Sequence, residues 1–341
     1  MKYWLVLGAI GLFLLAACTS SGVTEHATGD QAIPVQTSES SFVALSEREV
    51  QIDAQGTPYI VDPSEIRSGG PPPDGIPPID DPVYVSVAEA DEWVDDNELA
   101  LAITYDGVTR AYPLQIMVWH EIVNDHFGDE RVLITYCPLC GTGIAYKPVV
   151  NGEEVEFGTS GKLWQSNLVM YDRLTDSYWT QIDGVSIMGS QAGEQLEAVP
   201  IDTVVWGEWK EEHPGAAVLS QDTGHIRDYG RDPYGSYYED SFLIFPVHEQ
   251  DDRVHAKTVV YSFVLNGQAA AYRASDVREE GVIEDEVGGV GVRLVQESDG
   301  TVTVTRDDTG SVIAQERGFW FSWYAFHPDT LLYGVEPLNT T

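Results

Sequence analysis

Cysteine, lysine and methionine are all scarce in this 341-residue chain, with three, five and four copies. Three cysteines cannot build a disulfide framework, so the fold must rest on a hydrophobic core. Only 18 bases stand against 55 acids, for a net charge of −37. That balance makes nucleic acid and anionic membrane surfaces poor partners. No apolar run after the N-terminus is long enough to span a bilayer. There is no Gly-x-Gly-x-x-Gly opening a helix, no His-Glu-x-x-His and no calcium loop, and Gly158-Thr159-Ser160-Gly161-Lys162 lacks the spacing of a phosphate loop or a nucleophile elbow.

What is present begins with an export signal. Met1-Lys2 precedes an apolar run from Tyr3 to Ala17 that ends in Leu15-Ala16-Ala17-Cys18. The ending resembles a lipobox, so residues 1–17 are expected to be a lipoprotein signal peptide and Cys18 the lipidated residue that tethers the protein to a membrane outside the cytoplasm, at the cell surface or in the periplasm. Residues 18–44, rich in Ser, Thr and Gly, read as a flexible tether reaching about 25–30 Å. The rest, 45–341, is expected to fold as one globular domain. Its acids are scattered rather than clustered, the pattern of a solvated surface, and point to adaptation to salt.

The fold expected is α+β, mostly antiparallel, built of two β-β-α-β modules related by an internal duplication, at about 84–150 and 258–317, with an aromatic-rich insert at about 151–257. Asp106-Gly107 between Leu101–Tyr105 and Val108–Tyr112 predicts a type I′ hairpin. Pro113 then opens a helix carrying Ile116, Trp119, Ile122 and Val123 at helical spacing, and 131–136 is a strand. An offset of 160 residues carries Asp106-Gly107 onto Asn266-Gly267, Ala111-Tyr112 onto Ala271-Tyr272 and Asp125 onto Asp285. It also carries His120 onto Glu280 and Cys137 onto Glu297, so the first copy alone holds the reactive side chains.

Those side chains lie in His120-Glu121-Ile122-Val123-Asn124-Asp125-His126 and Thr135-Tyr136-Cys137-Pro138-Leu139-Cys140-Gly141. Cys-x-x-Cys spacing has three readings. Cys137 and Cys140 could be two ligands of a metal site completed by His120, with His327 or His126 as further candidates; two thiolates plus imidazole suit zinc, copper or iron. They could be a redox dithiol, although Gly141–Tyr146 reads as turn and strand rather than the helix of thioredoxin-like sites. They could also be a structural disulfide in a non-enzymatic envelope or surface binding lipoprotein. Glu121, Asp125, Tyr171, Asp172, Arg173 and Trp179 are candidates to line a small-molecule pocket, with Asp172–Arg173 also readable as an internal ion pair.

Several segments together resemble a known family of exported and lipid-anchored proteins, domain of unknown function 3179. They are Gly69-Gly70-Pro71 through Asp74-Gly75-Ile76-Pro77, Ala111-Tyr112-Pro113-Leu114, the His120 and Cys137 motifs, Met170-Tyr171-Asp172-Arg173, His213-Pro214, Phe245-Pro246 and Phe326-His327-Pro328-Asp329. The resemblance covers about residues 65–335 and implies membership without implying a reaction.

Overall fold

The alternation of apolar and polar residues in short runs, punctuated by Asp-Gly, Asn-Gly and lone glycines, favours strands, and strands dominate. A computed structural model describes residues 43–335. The expected signal segment, Cys18 and nearly all of the expected tether lie outside the described residues. Strands hold 40% of the residues and helices 14%, so the α+β expectation is corrected to a mainly β fold. Among the described residues no helix is long and apolar enough to cross a membrane.

The β-β-α-β units are corrected as well. Each is a hairpin, a short helix and a second hairpin: Leu99–Tyr105, Val108–Pro113, Leu114–His120, Ile122–Phe127 and Glu130–Cys137 in the first, and Val259–Leu265, Gln268–Arg273, Ala274–Glu280, Val282–Val287 and Val290–Gln296 in the second. The helical spacing runs on through Ile122 and Val123, but the helix stops at His120 because Glu121 turns left-handed, at φ +60°. Ile122 and Val123 are buried as strand residues instead. The Asp106-Gly107 and Asn266-Gly267 turns have both central φ angles positive, as type I′ requires.

Each unit continues through a third strand, Thr142–Lys147 or Val302–Arg306. Each then adds a strand and a helix, Asp202–Val205 with Trp206–Glu212 and Glu316–Phe319 with Trp320–Phe326. These helices share a pattern: Trp206-x-x-Trp209-x-x-x-His213-Pro214 and Trp320-x-x-Trp323-x-x-x-His327-Pro328. Tryptophans three apart fall on one helical face, and all four are buried. Each proline follows the helix end, where it cannot continue the ladder. The strand after it, Ala217–Leu219 or Leu331–Leu332, pairs parallel to the first hairpin.

The insert supplies four strands of a seven-stranded sheet, Phe157–Trp164, Asn167–Asp172, Tyr178–Thr180 and Ser186–Met188, which run consecutively antiparallel; the segments Gln51–Ile52, Pro58–Tyr59 and Arg67–Ser68 supply the edges. The alternating segment 242–247 has the pattern of a strand but is irregular. The insert sheet, the cysteine turn and the helix Trp320–Phe326 meet in one core holding Cys137, Cys140, Trp164, Leu168, Trp179 and Phe326. That junction positions the site.

Candidate functional site

The strand Glu130–Cys137 ends in a tight turn, closed by the Cys140 N–H donating to Cys137 O at 3.1 Å. Gly141 then redirects the chain at φ +63°, and a Cβ there would lie 3.0 Å from the Phe319 ring. Glycine thus lets an aromatic ring seal the turn. Both cysteines are free and buried, their sulfurs 2.9 Å apart.

The insert supplies the polar floor. Gln165 and Ser166 form a hairpin turn with φ +51° and +61°, two successive non-glycine residues in the left-handed region, at a cost on the order of 1–2 kcal/mol each. The turn places the Asn167 amide nitrogen 3.3 Å from Cys140 Sγ and the Ser166 carbonyl 3.5 Å from it. Asn167 cannot swing away. Its Oδ1 accepts from the backbone N–H groups of Gln181 and Ile182, both at 3.0 Å, and its Nδ2 also donates to Gln181 Oε1 at 2.9 Å. Gln181 donates to Thr135 Oγ1 at 3.1 Å and accepts from Thr142 Oγ1 at 2.9 Å.

This environment separates the two thiols. Burial opposes ionisation of Cys140, but hydrogen bonds from Cys137 and Asn167 outweigh it and hold that thiol below its ordinary value. Cys137 is pushed well above its ordinary value by burial, by donating to Cys140 and by the charges of Cys140 and Glu121. Of the two, Cys140 is therefore the more readily ionised and Cys137 the one that holds its proton more tightly.

Glu121 is the third member. Burial raises its carboxyl to about 8, against a hydrogen bond from Tyr234 that lowers it. Its left-handed backbone is informative by comparison. The residue 160 positions on is Gly281, at φ +72°, and both residues accept through the carbonyl from the end of the following hairpin, Tyr136 N–H at 2.7 Å and Gln296 N–H at 2.9 Å. Glycine meets that geometry without strain. The first unit instead keeps a strained, buried carboxyl there, a feature that clusters at functional sites.

A strap of tyrosines covers the site. Tyr229 Oη lies 2.6 Å from His120 Nε2, and Tyr237 Oη donates to Leu139 O at 3.0 Å. Tyr238 packs on Phe319 with centroids 6.2 Å apart. The Lys257 ammonium, buried, fixes the strap by donating to Tyr237 O and, at 2.8 Å, to Phe242 O.

The expected metal set does not gather. Among the described residues no group of three or more His, Cys, Asp or Glu side chains converges as a metal site. Both His120 nitrogens are engaged, Nδ1 with Pro77 O at 2.7 Å and Nε2 with Tyr229, and burial depresses the ring to about 4, so it is neutral. His327 stacks on Trp323 and lies 3.0 Å from Asp183 Oδ1, while His126 is exposed. The donors that meet are two sulfurs, short of the four a tetrahedral centre needs.

The expected pocket residues also disperse. Asp125 is buried under Tyr84, Tyr112 and Arg110, a structural knot echoed by Tyr272 on Asp285 at 2.9 Å. Asp172 closes a turn onto Thr175 and the Trp179 indole. Tyr171 donates to Asp74 at 2.7 Å. Arg173 pairs with Glu156 at 2.7 Å and Asp80 at 2.9 Å, not with Asp172. A cavity of about 500 Å³ does adjoin the cysteine turn, but none of these six residues lines it; Tyr136, Gly141, Tyr238, Arg317 and Phe319 are among those that do.

The sequence pattern of the family described as "Protein of unknown function (DUF3179)" matches residues 73–313, well over half of the chain. The chain belongs to the DUF3179 family. No curated protein and no solved structure matches it.

Sequence reasoning about this DUF3179 chain missed Gln165, Ser166, Asn167 and Gln181. The polar pair Gln165-Ser166 between the strand ends Trp164 and Asn167 is a two-residue hairpin loop, but without glycine the turn is hard to see. Nothing local marks Asn167 as a partner of a sulfur 27 positions earlier.

Proposed function

We propose that this protein is a thiol–disulfide redox protein whose Cys137–Cys140 pair cycles between dithiol and disulfide. The observation that carries this reading is the pair of free sulfurs 2.9 Å apart with the Asn167 amide directed at Cys140. A structural bridge needs no such donor, and the turn 160 residues on does without sulfur: Glu297-Ser298-Asp299-Gly300 is held by Asp299 accepting from Thr301 and paired with His213 at 2.7 Å.

The partner is a disulfide, R–S–S–R. The Cys140 thiolate attacks one of its sulfurs, forming a mixed disulfide and releasing one thiolate. Cys137 gives its proton to Glu121, and its thiolate attacks Cys140 Sγ, closing the Cys137–Cys140 bond and releasing the second thiolate. Those two thiolates leave as thiols, one with the proton that Glu121 surrenders and one with a proton from solvent. The protein loses two electrons and the partner gains two. With its carboxyl near 8, Glu121 accepts that proton only in its ionised form, about one-tenth of the molecules at pH 7, so closure of the disulfide is expected to quicken as pH rises toward 8.

The Leu15-Ala16-Ala17-Cys18 ending supports a lipid anchor on Cys18 and a place outside the cytoplasm, where such exchange takes place. Incorporation of labelled fatty acid that disappears in Cys18→Ser checks the anchor.

The deciding experiment is equilibration of the folded protein in glutathione buffers, with thiols counted after denaturation and metal measured on the same samples. A single reversible two-electron transition, absent from Cys137→Ser and Cys140→Ser, is expected. Thiols unchanged across the whole range, or stoichiometric metal released only when either cysteine is replaced, would overturn the redox reading.

A further inference from the structure

The cavity beside the cysteine turn is a separate question from the dithiol, because the sulfurs are not among its lining residues. Its volume, about 500 Å³, falls within the usual ~300–1,000 Å³ of small-molecule sites. Aromatic and aliphatic side chains form most of its wall, among them Tyr136, Tyr238, Phe319 and Val118.

Two cations face it, and they differ. Lys257 is spent on the strap, donating to Tyr237 O and Phe242 O and pairing with Asp240 at 3.3 Å. Arg317 is half-buried, projects from the strand Glu316–Phe319, and has no carboxylate within 4 Å among the described residues. In a chain with 55 acids and 18 bases, a half-buried guanidinium with no acid in direct contact is conspicuous; it hydrogen-bonds Tyr261, and the buried acid that feels its charge, Asp202, is held by Val302 N–H at 3.1 Å and Gln315 Nε2 at 2.9 Å. Desolvated charge calls for a counter-charge.

The carboxylates at the same cavity are committed elsewhere. Glu98 accepts from Gln115 Nε2 at 2.6 Å, and burial raises its carboxyl, which diminishes its charge. Asp232 is exposed at the rim and accepts from Tyr234 N–H at 2.7 Å. Both would still repel a ligand of high negative charge.

We propose that this cavity binds a compact aromatic monoanion, its anionic group on Arg317 and its ring system against Tyr136, Tyr238 and Phe319. A guanidinium offers two parallel donors to a carboxylate or sulfonate, and the apolar wall supplies the area term.

The probes are 8-anilinonaphthalene-1-sulfonate and N-phenyl-1-naphthylamine, which share a frame and differ in the anion. Fluorescence titration of the native full chain is expected to give one saturable site for the sulfonate, at least tenfold tighter than for the neutral amine. Arg317→Gln should weaken the sulfonate tenfold or more and leave the amine unchanged. Leu114→Trp, which fills the cavity from its wall, should abolish both. Equal affinity of the two probes for the wild-type protein, sulfonate affinity unmoved by Arg317→Gln, or undiminished binding to Leu114→Trp each overturns the proposal. Near-UV circular dichroism confirms that each variant is folded; should Arg317→Gln fail, the wild-type probe ratio and the Leu114→Trp titration still decide. The same titration on Cys137→Ser/Cys140→Ser is expected to match the wild type, so failure of the redox reading leaves this result standing, and the reverse.

Discussion

Glu121 is the residue at which fold and chemistry conflict most openly. It occupies a left-handed position that Gly281 fills in the second unit, and it buries a carboxyl beside two thiols. Its value of about 8, raised from 4.5, means that the folded protein keeps a proton the unfolded chain has lost across that interval. Folding is therefore favoured most below about pH 4.5, and this contribution drains away as pH rises through 8. His120 acts in the opposite sense. Its ring, lowered to about 4 from 6.5, contributes stability above 6.5 that is lost as pH falls toward 4. The two overlap in the acid range, so the window from 6.5 to 8 reads Glu121 with least interference. Urea unfolding there should show stability falling with pH in the wild type and a shallower fall in Glu121→Gln. Identical slopes would show that the carboxyl ionises as freely folded as unfolded. The same variant removes a negative charge that raises Cys137, so the pH profile of thiol alkylation should move to lower pH, a shift that a purely structural role would not produce. At Asn167 the cost is structural as well. Asn167→Ala strands the N–H groups of Gln181 and Ile182, each worth about 1–3 kcal/mol when buried without a partner. A loss of roughly 2–5 kcal/mol is expected in chemical denaturation, and a loss under 1 kcal/mol would mean that water replaces the amide.

Among the elements, those whose geometry is decided locally were legible in the sequence. Asp106-Gly107 and Asn266-Gly267 announced their turns because few residue pairs tolerate two positive φ angles. Strand 130–137 was legible from its apolar run. The helix after Pro113 was drawn too long, because buried strand residues at Ile122 and Val123 happen to continue a helical spacing and the stop at Glu121 lacks the glycine that signals it. The Trp-x-x-Trp-x-x-x-His-Pro helices went unread although their pattern is plain, since their meaning depends on the hairpins they cover. The cysteine turn was found, but its partners were expected among nearby histidines. Tertiary packing brought an amide from the insert and tyrosines from the strap instead. The strap shows how burial governs reactivity. With both sulfurs buried, reagents reach them only through local opening; the segment around Tyr229–Tyr238, anchored by the buried Lys257, is the expected route. Lys257→Met keeps the side-chain stem and removes the donors. Native-state labelling of the cysteines by iodoacetamide should accelerate at least tenfold, while Lys147→Met, at an exposed pair with Glu197, should leave the rate unchanged. Equal rates in all three proteins would place the access route elsewhere.

At the scale of the whole molecule the two units cover each other. His213, from the tryptophan helix of the first, pairs with Asp299 in the turn of the second, and the Phe319 N–H, from the strand Glu316–Phe319 of the second, donates to Cys140 O at 2.8 Å in the turn of the first. The cysteine turn is thus closed by parts drawn from both units and the insert, and it exists only in the complete fold. Holding that fold together against a net charge of −37 is the remaining physical problem. Many of the bases already face acids, as in the Arg173 cluster with Asp80 and Glu156, yet each such exposed pair returns only about 0–1 kcal/mol. The unpaired acids repel one another at longer range, where salt acts: the screening length shrinks from about 10 Å at 0.1 M to about 3 Å at 1 M. Screening therefore costs the pairs little and relieves the excess. Thermal unfolding at pH 7 should shift upward by roughly 5 °C between 0.1 and 1 M sodium chloride, equivalent to about 3 kcal/mol for a domain of this size. Potassium and choline chlorides should do the same if screening is the cause. A Tm that is flat or falls with salt would sink the argument for salt adaptation, and a rise confined to one cation would replace it with specific ion binding.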